Sequence, residues 1–140
     1  MARIAFLGPE GTFTEAALLK MSASEMIPGP HGTEVTPRST ASTPAALDEV
    51  RAGAADFACV PIENSIEGGV LPTLDSLATG RPLQIYAEIP LDVAFSIVTR
   101  SSVAPDQIRT VAAFPVAAAQ VRHWLTPNLP DARLVPANSN

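Results

Sequence analysis

The sequence is short of charge, and this shortage is the first guide to its class. Charged residues make up 16% of the 140 residues, against the roughly 25% that is typical of soluble proteins. A surface so poor in charge is expected to be partly covered, either by a second subunit or by a segment that normally packs on it. The net charge of −5 gives no support to nucleic-acid binding, which needs a basic surface.

Cysteine, metal ligands and long apolar runs are scarce as well. The single cysteine, Cys59, excludes a disulfide within the chain, and its place in the run DFACVPI predicts a buried core thiol. His31 and His123 lie far apart without metal-ligand spacing, so we predict no metal site. No apolar run approaches the ~20 residues of a membrane span, and MARIAFLG is too short for a signal peptide. These absences predict a cytoplasmic protein without a membrane partner.

What the first half of the sequence does contain is an alternation of strand and helix patterns. This order and spacing predict a parallel sheet with helices packed on it. The segment ENSIEGG between the third strand and the third helix is predicted to be a loop. The predicted strands are Ile4–Leu7, Glu34–Arg38 and Asp56–Ile62, and the predicted helices are Thr12 to about Ala23, Ser42 or Thr43 to about Ala52, and Val70–Ala78.

The pattern changes at Gly80–Pro82, where we place a domain boundary. The runs LQIYAEIP and DVAFSIVT are separated by too few residues for a helix, so they are predicted to be extended neighbours. The alternation then returns, with a strand at Thr110–Phe114, a helix from Pro115 to about Leu125 and a strand near Leu134. We therefore predict a first α/β lobe over residues 1–80 and a second lobe over 81–140, incomplete at its C-terminus.

The segment GPEGTFTEAALL joins the first strand to the first helix and has the character of an anion site. Gly8 and Gly11 let the backbone approach a ligand closely, and Thr12 with Glu15 fits a capping box at the helix start. A helix N-terminus offers free N–H groups and a positive dipole end, which suit a carboxylate. A capped helix without any ligand gives the same pattern, so this segment alone does not decide the function.

Two further segments follow strand ends, where ligands of open α/β sheets bind. Glu63, Asn64 and Ser65 directly follow the third strand, and three consecutive hydrogen-bonding groups suit a polar, oxygen-rich ligand. A plain turn is the alternative interpretation of these residues. Ser42 and Thr43 stand at the start of the second helix, where capping alone also explains them.

The two segments GPEGTFTEAAL and VPIENSIEGGV, in this order, resemble the two N-terminal signatures of prephenate dehydratase. The segment AAFPVAAAQVRHWL resembles the third signature of that family, a strand followed by a helix that carries a glutamine. The resemblance covers essentially the whole chain. It implies an α/β fold of two lobes with parallel-rich sheets, like the type II periplasmic binding proteins, and a ligand cleft between the lobes.

The function implied by the resemblance is conversion of prephenate to phenylpyruvate, with loss of carbon dioxide and water, in phenylalanine biosynthesis. No cofactor is expected. Asn64, Ser65 and Gln120 are the expected catalytic residues, with Gln120 reaching in from the second lobe. An ionised Glu63 would repel a dianionic substrate, so we expect it to turn away or to engage backbone amides. The expected substrate-binding residues are Gly11, Thr12, Phe13, Glu63, Ser42 and Thr43.

The chain also departs from the family pattern. Ala113 and Phe114 stand where the third signature usually has a serine and then a histidine. The catalytic Thr-Arg-Phe motif and the ACT domain, through which L-phenylalanine regulates typical members, are not in this sequence. We therefore expect a monofunctional, homo-oligomeric enzyme whose residues 1–140 are inactive by themselves.

Two alternatives stay open at this point. Two α/β lobes joined by a hinge also describe non-enzymatic modules that bind small carboxylates, such as solute-binding proteins and effector-sensing domains. Arogenate instead of prephenate is a second possible substrate, because the residues quoted do not separate the two.

Overall fold

The computed structural model describes residues 1–137 and shows a mixed α/β chain with parallel sheets. Its first sheet has three parallel strands in the order β2-β1-β3, with Leu7 paired to Thr40 and Phe6 to Cys59. The elements are β1 (Ala2–Leu7), α1 (Phe13–Ala23), β2 (Val35–Thr40), α2 (Thr43–Arg51), β3 (Phe57–Cys59), β4 (Glu63–Asn64), β5 (Gly68–Gly69), α3 (Leu71–Ala78), a 3₁₀ turn (Pro105–Gln107), β6 (Thr110–Ala113), α4 (Pro115–Asn128) and β7 (Arg133–Pro136).

The central strand β1 builds a core on each face of this sheet. Side chains alternate along a strand, so Ile4 and Phe6 pack with Leu18 of α1 on one face. Ala5 points to the other face and packs with Ala46 of α2. A strand buried on both faces is typical of parallel sheets covered by helices. The predicted parallel α/β order of the first half is therefore confirmed.

Arg51 joins the end of α2 to the end of α3. Its guanidinium donates to the Asp48 carboxylate at 2.8 Å and to the Ser76 hydroxyl at 3.1 Å. It also donates to the backbone carbonyls of Thr79 at 3.2 Å and Arg81 at 3.1 Å. The last carbonyls of a helix lack partners within that helix, and a cation is favourable there. Arg51 thus fixes the point at which the chain leaves α3.

The chain divides into two compact units, Met1–Asp92 and Val93–Asn140. Residues 81–92 go with the first unit, because Tyr86 packs edge-on against Phe57 with ring centroids 5.8 Å apart. Lys20 also donates its Nζ proton to the carbonyl of Pro90 at 3.0 Å. The boundary predicted at Gly80–Pro82 lies earlier than this division, because residues beyond the end of α3 still contact β3 and α1.

The second unit contains one parallel strand pair and one helix among its described residues. β6 pairs with β7 in parallel, from Thr110 opposite Arg133 to Ala113 opposite Pro136. The helix α4 buries Ala117 and Ala118 and extends past the predicted end to Asn128. None of the helices in the described chain is both long and apolar enough to cross a membrane.

Two local predictions differ from the structure. ENSIEGG forms a small hairpin of β4 and β5 instead of an irregular loop. The predicted extended neighbours in residues 83–99 form no sheet ladder within the described residues. In α3 the residue that is fully buried is Thr73, whereas Leu71 is 67% exposed. The buried side of this helix therefore depends on the neighbouring elements and not on its apolar residues alone.

Candidate functional site

The loop after β1 is held tightly against β2. The amide of Gly8 donates to the carbonyl of Thr40 at 2.9 Å, which continues the parallel ladder beyond the strand. A Cβ atom at Gly8 would overlap the Ser39 hydroxyl oxygen and would lie 3.3 Å from the carbonyl oxygen of Thr40, so a side chain has little space here. The Thr12 hydroxyl donates back to the carbonyl of Leu7 at 3.2 Å. The loop between Gly8 and Thr12 is therefore fixed at both ends.

The first turn of α1 is capped as predicted, with one difference. The amide of Glu15 donates to the Thr12 hydroxyl oxygen at 3.4 Å, which confirms Thr12 as the N-cap. The Glu15 carboxylate accepts from the amide of Gly11 at 2.6 Å, whereas a capping box would place it on the N-cap amide. The Gly11 amide is thus satisfied inside the protein and is not available to a ligand carboxylate in this conformation. Gly11 itself has φ +83°, which glycine adopts without strain.

Two other amides at the start of α1 remain available. Those of Thr12 and Thr14 donate to no residue in the described part of the chain. Both belong to the first turn, where an anion is stabilised by N–H groups and by the helix dipole. Phe13 lies between them, and its side chain is exposed. An anion approaching this end of the sheet meets two backbone donors.

The start of α2 lies beside this loop. The Ser42 hydroxyl oxygen accepts from the amide of Ala45 at 3.2 Å, so Ser42 is the N-cap of α2. The Thr40 hydroxyl, which the sequence did not single out, donates to the carbonyl of Phe6 at 2.9 Å and thereby links the ends of β2 and β1. The Thr43 hydroxyl is buried and lacks a hydrogen-bond partner among residues 1–137. It is shielded from any ligand that approaches from solvent.

The hairpin after β3 carries the other three predicted residues of the first unit. Glu63 pairs with Gly69, and Asn64 pairs with Gly68, which has φ +80°. The Asn64 Oδ1 atom accepts from the amides of Ile66 at 2.9 Å and Glu67 at 3.3 Å. This oxygen therefore closes the turn, as asparagine commonly does. The Asn64 Nδ2 group has no partner among the described residues and is the group that can donate to a ligand.

The side chains of Glu63 and Ser65 differ from Asn64 in having no fixed partner. Both are exposed, and neither makes an ion pair or side-chain hydrogen bond with a described residue. Of the two arrangements expected for the Glu63 carboxylate, turning away or binding backbone amides, the second is not seen among the described residues. The Ser65 hydroxyl is free to bind a ligand.

The hairpin is anchored by a residue that the sequence analysis missed. The Thr73 hydroxyl is completely buried and donates to the carbonyl of Pro61 at 2.7 Å. The amide of Val70 donates to the carbonyl of Ile62 at 2.9 Å. Both ends of the hairpin are thereby tied to α3. A threonine inside a predicted helix gives no sequence signal for such a role.

Cys59 lies at the carboxyl end of β3 and approaches α1. Its Sγ atom is 3.7 Å from the carbonyl of Thr14, and its side chain packs beside the core cluster around Phe6. Burial raises the pKa of the Cys59 thiol to about 11, so the thiolate is disfavoured. The thiol is half-buried and packs against the core, which is close to the buried core thiol predicted from the sequence.

Gln120 lies in the second unit, in the middle of α4, and is half-buried. The two residues that depart from the family pattern stand just before this helix. Ala113 ends β6, and Phe114 occupies the N-cap position without a side-chain cap. The first turn of α4 therefore lacks the side-chain acceptor that Thr12 and Ser42 provide in α1 and α2.

Two cavities in the described chain are lined by none of the predicted site residues. One, of about 490 Å³, is lined by Met1, residues 28–34, Asp56 and Phe57. It lies at the amino ends of the strands, whereas the helix N-termini of an open α/β sheet face the carboxyl ends, where ligands bind. A second cavity, of about 350 Å³, lies between α4 and the strand pair β6-β7. We therefore place the candidate site by its hydrogen-bonding groups and not by cavity size.

The opposite, amino-terminal edge of the sheet is held by an ion pair. The Nη2 atom of Arg3 lies 2.7 Å from Oδ1 of Asp56. Hydrogen bonds from the Arg3 side chain and backbone lower the pKa of Asp56 to about 2. This ion pair contributes to the stability of the fold. Within residues 1–137, no three His, Cys, Asp or Glu side chains are placed to hold a metal ion.

Comparisons with known proteins agree with the resemblance seen in the motifs. The family model described as prephenate dehydratase matches residues 4–140. Prephenate dehydratase of Mycolicibacterium smegmatis is 68% identical to this chain over 142 residues, and the match covers all of this chain and 46% of that protein. The Mycobacterium marinum protein of the same name is 64% identical over 140 residues, with coverage of 100% and 44%.

A solved structure gives the same result at the level of the fold. The crystal structure of prephenate dehydratase from Arthrobacter aurescens, in complex with L-Phe, is 42% identical and superposes with a TM-score of 0.76. The match covers 98% of this chain and 42% of that one. This chain thus spans less than half of the length of these relatives. With the family model matched over nearly all of its residues, the chain belongs to the prephenate dehydratase family.

Proposed function

We propose that this chain forms part of an enzyme that converts prephenate to phenylpyruvate in phenylalanine biosynthesis. The observation that carries the proposal is the match over its whole length to proteins named prephenate dehydratase, at 64 to 68% identity. The polar groups at the carboxyl ends of the strands support it, because they suit a substrate with two carboxylates and a hydroxyl.

The reaction makes three physical demands and needs no redox step. The ring carboxylate must lose its hydration so that it can leave as neutral carbon dioxide. The departing hydroxyl must receive a proton or a strong hydrogen bond, because hydroxide is a poor leaving group. The pyruvyl carboxylate must be anchored so that the ring is held in place.

We assign the anchoring of a carboxylate to the start of α1. The amides of Thr12 and Thr14 in the first turn have no acceptor among residues 1–137, and the helix dipole favours an anion there. The exposed ring of Phe13 lies between these amides and is proposed to contact the substrate ring. Gly11 supplies the turn that orients these amides. Ser42 and Thr43 are proposed to contribute through the neighbouring N-terminus of α2.

Hydrogen bonding to the other substrate oxygens is assigned to the hairpin. Asn64 offers its Nδ2 protons while its Oδ1 atom holds the turn, and the exposed Ser65 hydroxyl offers one further donor. Glu63 is exposed beside them, and its charge disfavours a dianion, so we propose that it limits where the substrate carboxylates can lie.

The remaining assignments concern the arrangement of the two units. We propose the arrangement of the type II periplasmic binding proteins, with the substrate in a cleft between the units and Gln120 opposite Asn64. The parallel α/β architecture of each unit and the place of Gln120 in the third signature support it. The lobe boundary is then proposed to lie between Gly80 and Asp92.

Regulation and assembly are proposed from the relatives. Because the Arthrobacter aurescens relative was crystallised with L-Phe, we propose that the protein containing this chain binds L-phenylalanine as a regulator, through an ACT domain. A homo-oligomer in the cytoplasm fits the low charged fraction of 16% and the exposed apolar side chains, which include Tyr86 and Trp124.

The experiment that tests the proposed activity is a chimera with the Mycolicibacterium smegmatis enzyme. Residues 1–140 of this chain replace the matching 46% of that protein, and phenylpyruvate formation is followed with prephenate and, in parallel, with arogenate. The parent enzyme is the positive control, and thermal melting checks that the chimera is folded. A folded chimera that binds prephenate without turnover would favour a binding module, and turnover of arogenate alone would reassign the substrate.

A further inference from the structure

Glu15 makes two hydrogen bonds, and both lead back to the loop before α1. Its backbone amide donates to the Thr12 hydroxyl oxygen at 3.4 Å, and its carboxylate accepts from the Gly11 amide at 2.6 Å. The Thr12 hydroxyl in turn donates to the carbonyl of Leu7 at 3.2 Å. These bonds connect the end of β1, the glycine turn and the first turn of α1.

This connection fixes a turn that would otherwise be free to rotate. Gly11 has φ +83°, and nothing lies within 4 Å of the position where a Cβ atom would stand. Side-chain packing therefore does not hold this residue, and glycine has more backbone freedom than any other residue. Within the described chain, the Glu15 carboxylate is the group that binds the Gly11 amide. Loss of this carboxylate would leave the peptide planes on both sides of Gly11 free to rotate.

One of those peptide planes contains the Thr12 amide, which the proposed function assigns to binding a substrate carboxylate. The peptide between Gly11 and Thr12 carries the Thr12 N–H, and its direction depends on the backbone angles of Gly11. We propose that Glu15 is a positioning residue, which orients the Thr12 amide toward a substrate carboxylate. The inference rests on the proposed function, because it names what sets the geometry of the same site.

The choice of an acid at this position needs a reason, since a negative charge beside an anion site weakens anion binding. The Glu15 carboxylate is committed to a short hydrogen bond with the Gly11 amide, and it lies in the first turn of a helix, where the dipole stabilises it. A glutamine could make the same bond without the charge. The positioning role therefore predicts that Glu15→Gln keeps substrate binding, whereas Glu15→Ala loses it.

The first arm of the test measures the hydrogen bond without using activity. Amide exchange at Gly11 is followed by NMR in residues 1–140, in the wild type and in the Glu15→Ala, Glu15→Gln and Glu10→Ala variants. Glu10 is the matched control, because its exposed carboxylate makes no hydrogen bond or ion pair with a described residue and lies in the same loop. We expect exchange at Gly11 to quicken by about tenfold or more in Glu15→Ala alone, as one hydrogen bond is lost. Unchanged exchange in Glu15→Ala would overturn the inference.

The second arm measures kinetics of the same variants in the chimera. Because anchoring a carboxylate acts equally on the bound substrate and on the transition state, KM should rise about tenfold or more in Glu15→Ala with little change in kcat. Glu15→Gln and Glu10→Ala should keep the KM of the unmutated chimera. A normal KM in Glu15→Ala, or a raised KM in Glu15→Gln, would overturn the positioning role. If the chimera that carries none of these substitutions is folded but inactive, that result counts against the proposed function instead.

Discussion

Replacing Asn64 by aspartate separates the two roles that this side chain is proposed to have. Its Oδ1 atom closes the hairpin turn by accepting from the amides of Ile66 and Glu67, at 2.9 and 3.3 Å. Its Nδ2 group is proposed to donate to the substrate. Asn64→Asp keeps the acceptor and removes the donor, whereas Asn64→Ala removes both.

The magnitudes of the two effects differ enough to be told apart. Loss of the two turn bonds in Asn64→Ala should lower the free energy of unfolding by about 1–3 kcal/mol, at 0.5–1.5 kcal/mol for each bond. Asn64→Asp should keep that stability, because a carboxylate accepts the same two amides more strongly. Loss of the donor to a charged substrate group costs ~1.5–3 kcal/mol, and repulsion between unit charges 4 Å apart adds about 1–4 kcal/mol.

The expected loss of kcat/KM in Asn64→Asp is therefore at least about 100-fold. The assay is phenylpyruvate formation in the chimera, beside urea unfolding of each variant. Asn128→Asp makes the same chemical change at the end of α4, where the Asn128 amide donates to the carbonyl of Trp124, and it should keep activity. A wild-type kcat/KM in Asn64→Asp, together with the loss of stability in Asn64→Ala, would show that Asn64 serves only the turn.

Three further outcomes are expected. Gln120→Ala in the chimera should lower turnover by about 10- to 100-fold without changing the melting temperature, and wild-type kinetics would leave Gln120 structural. Gly8→Ala should destabilise the chain by ~1–3 kcal/mol through overlap with Ser39, and adding Ser39→Ala should recover part of that loss. Because Arg3 lowers the pKa of Asp56 from 3.8 to about 2, the stability from this pair is complete above about pH 4 and is lost as the pH falls through 2. Urea unfolding between pH 4 and 2 should therefore depend less on pH in Asp56→Asn.

The local features of the fold were predictable because their causes are local. Thr12, and either Ser42 or Thr43, were predicted as helix starts from residue type and spacing, and the structure has Thr12 and Ser42 as the N-caps. The buried strand β1 follows from a short apolar run beside turn residues. The order of strands and helices then limits the sheet to a parallel one with helices packed on it.

Features that depend on distant neighbours were not predictable in the same way. The buried face of α3 is set by its contact with the segment before the hairpin, where Thr73 binds the carbonyl of Pro61. The hairpin strands have two residues each, which is too short for an alternating pattern. The Glu15 carboxylate binds the Gly11 amide because the backbone at Gly11 turns this amide toward the helix. The φ angle of Gly11 that produces the turn cannot be read from the sequence.

The central position of β1 also has a consequence for the order of events during synthesis. β1 is made before both of its partners, which begin at Val35 and at Phe57. At roughly 5–20 residues per second, the apolar side chains of Ile4 and Phe6 lack a complete sheet for about 3–10 s while some 50 residues are added. The β1 segment is therefore the part of the nascent chain most in need of protection from aggregation, until β3 completes the sheet.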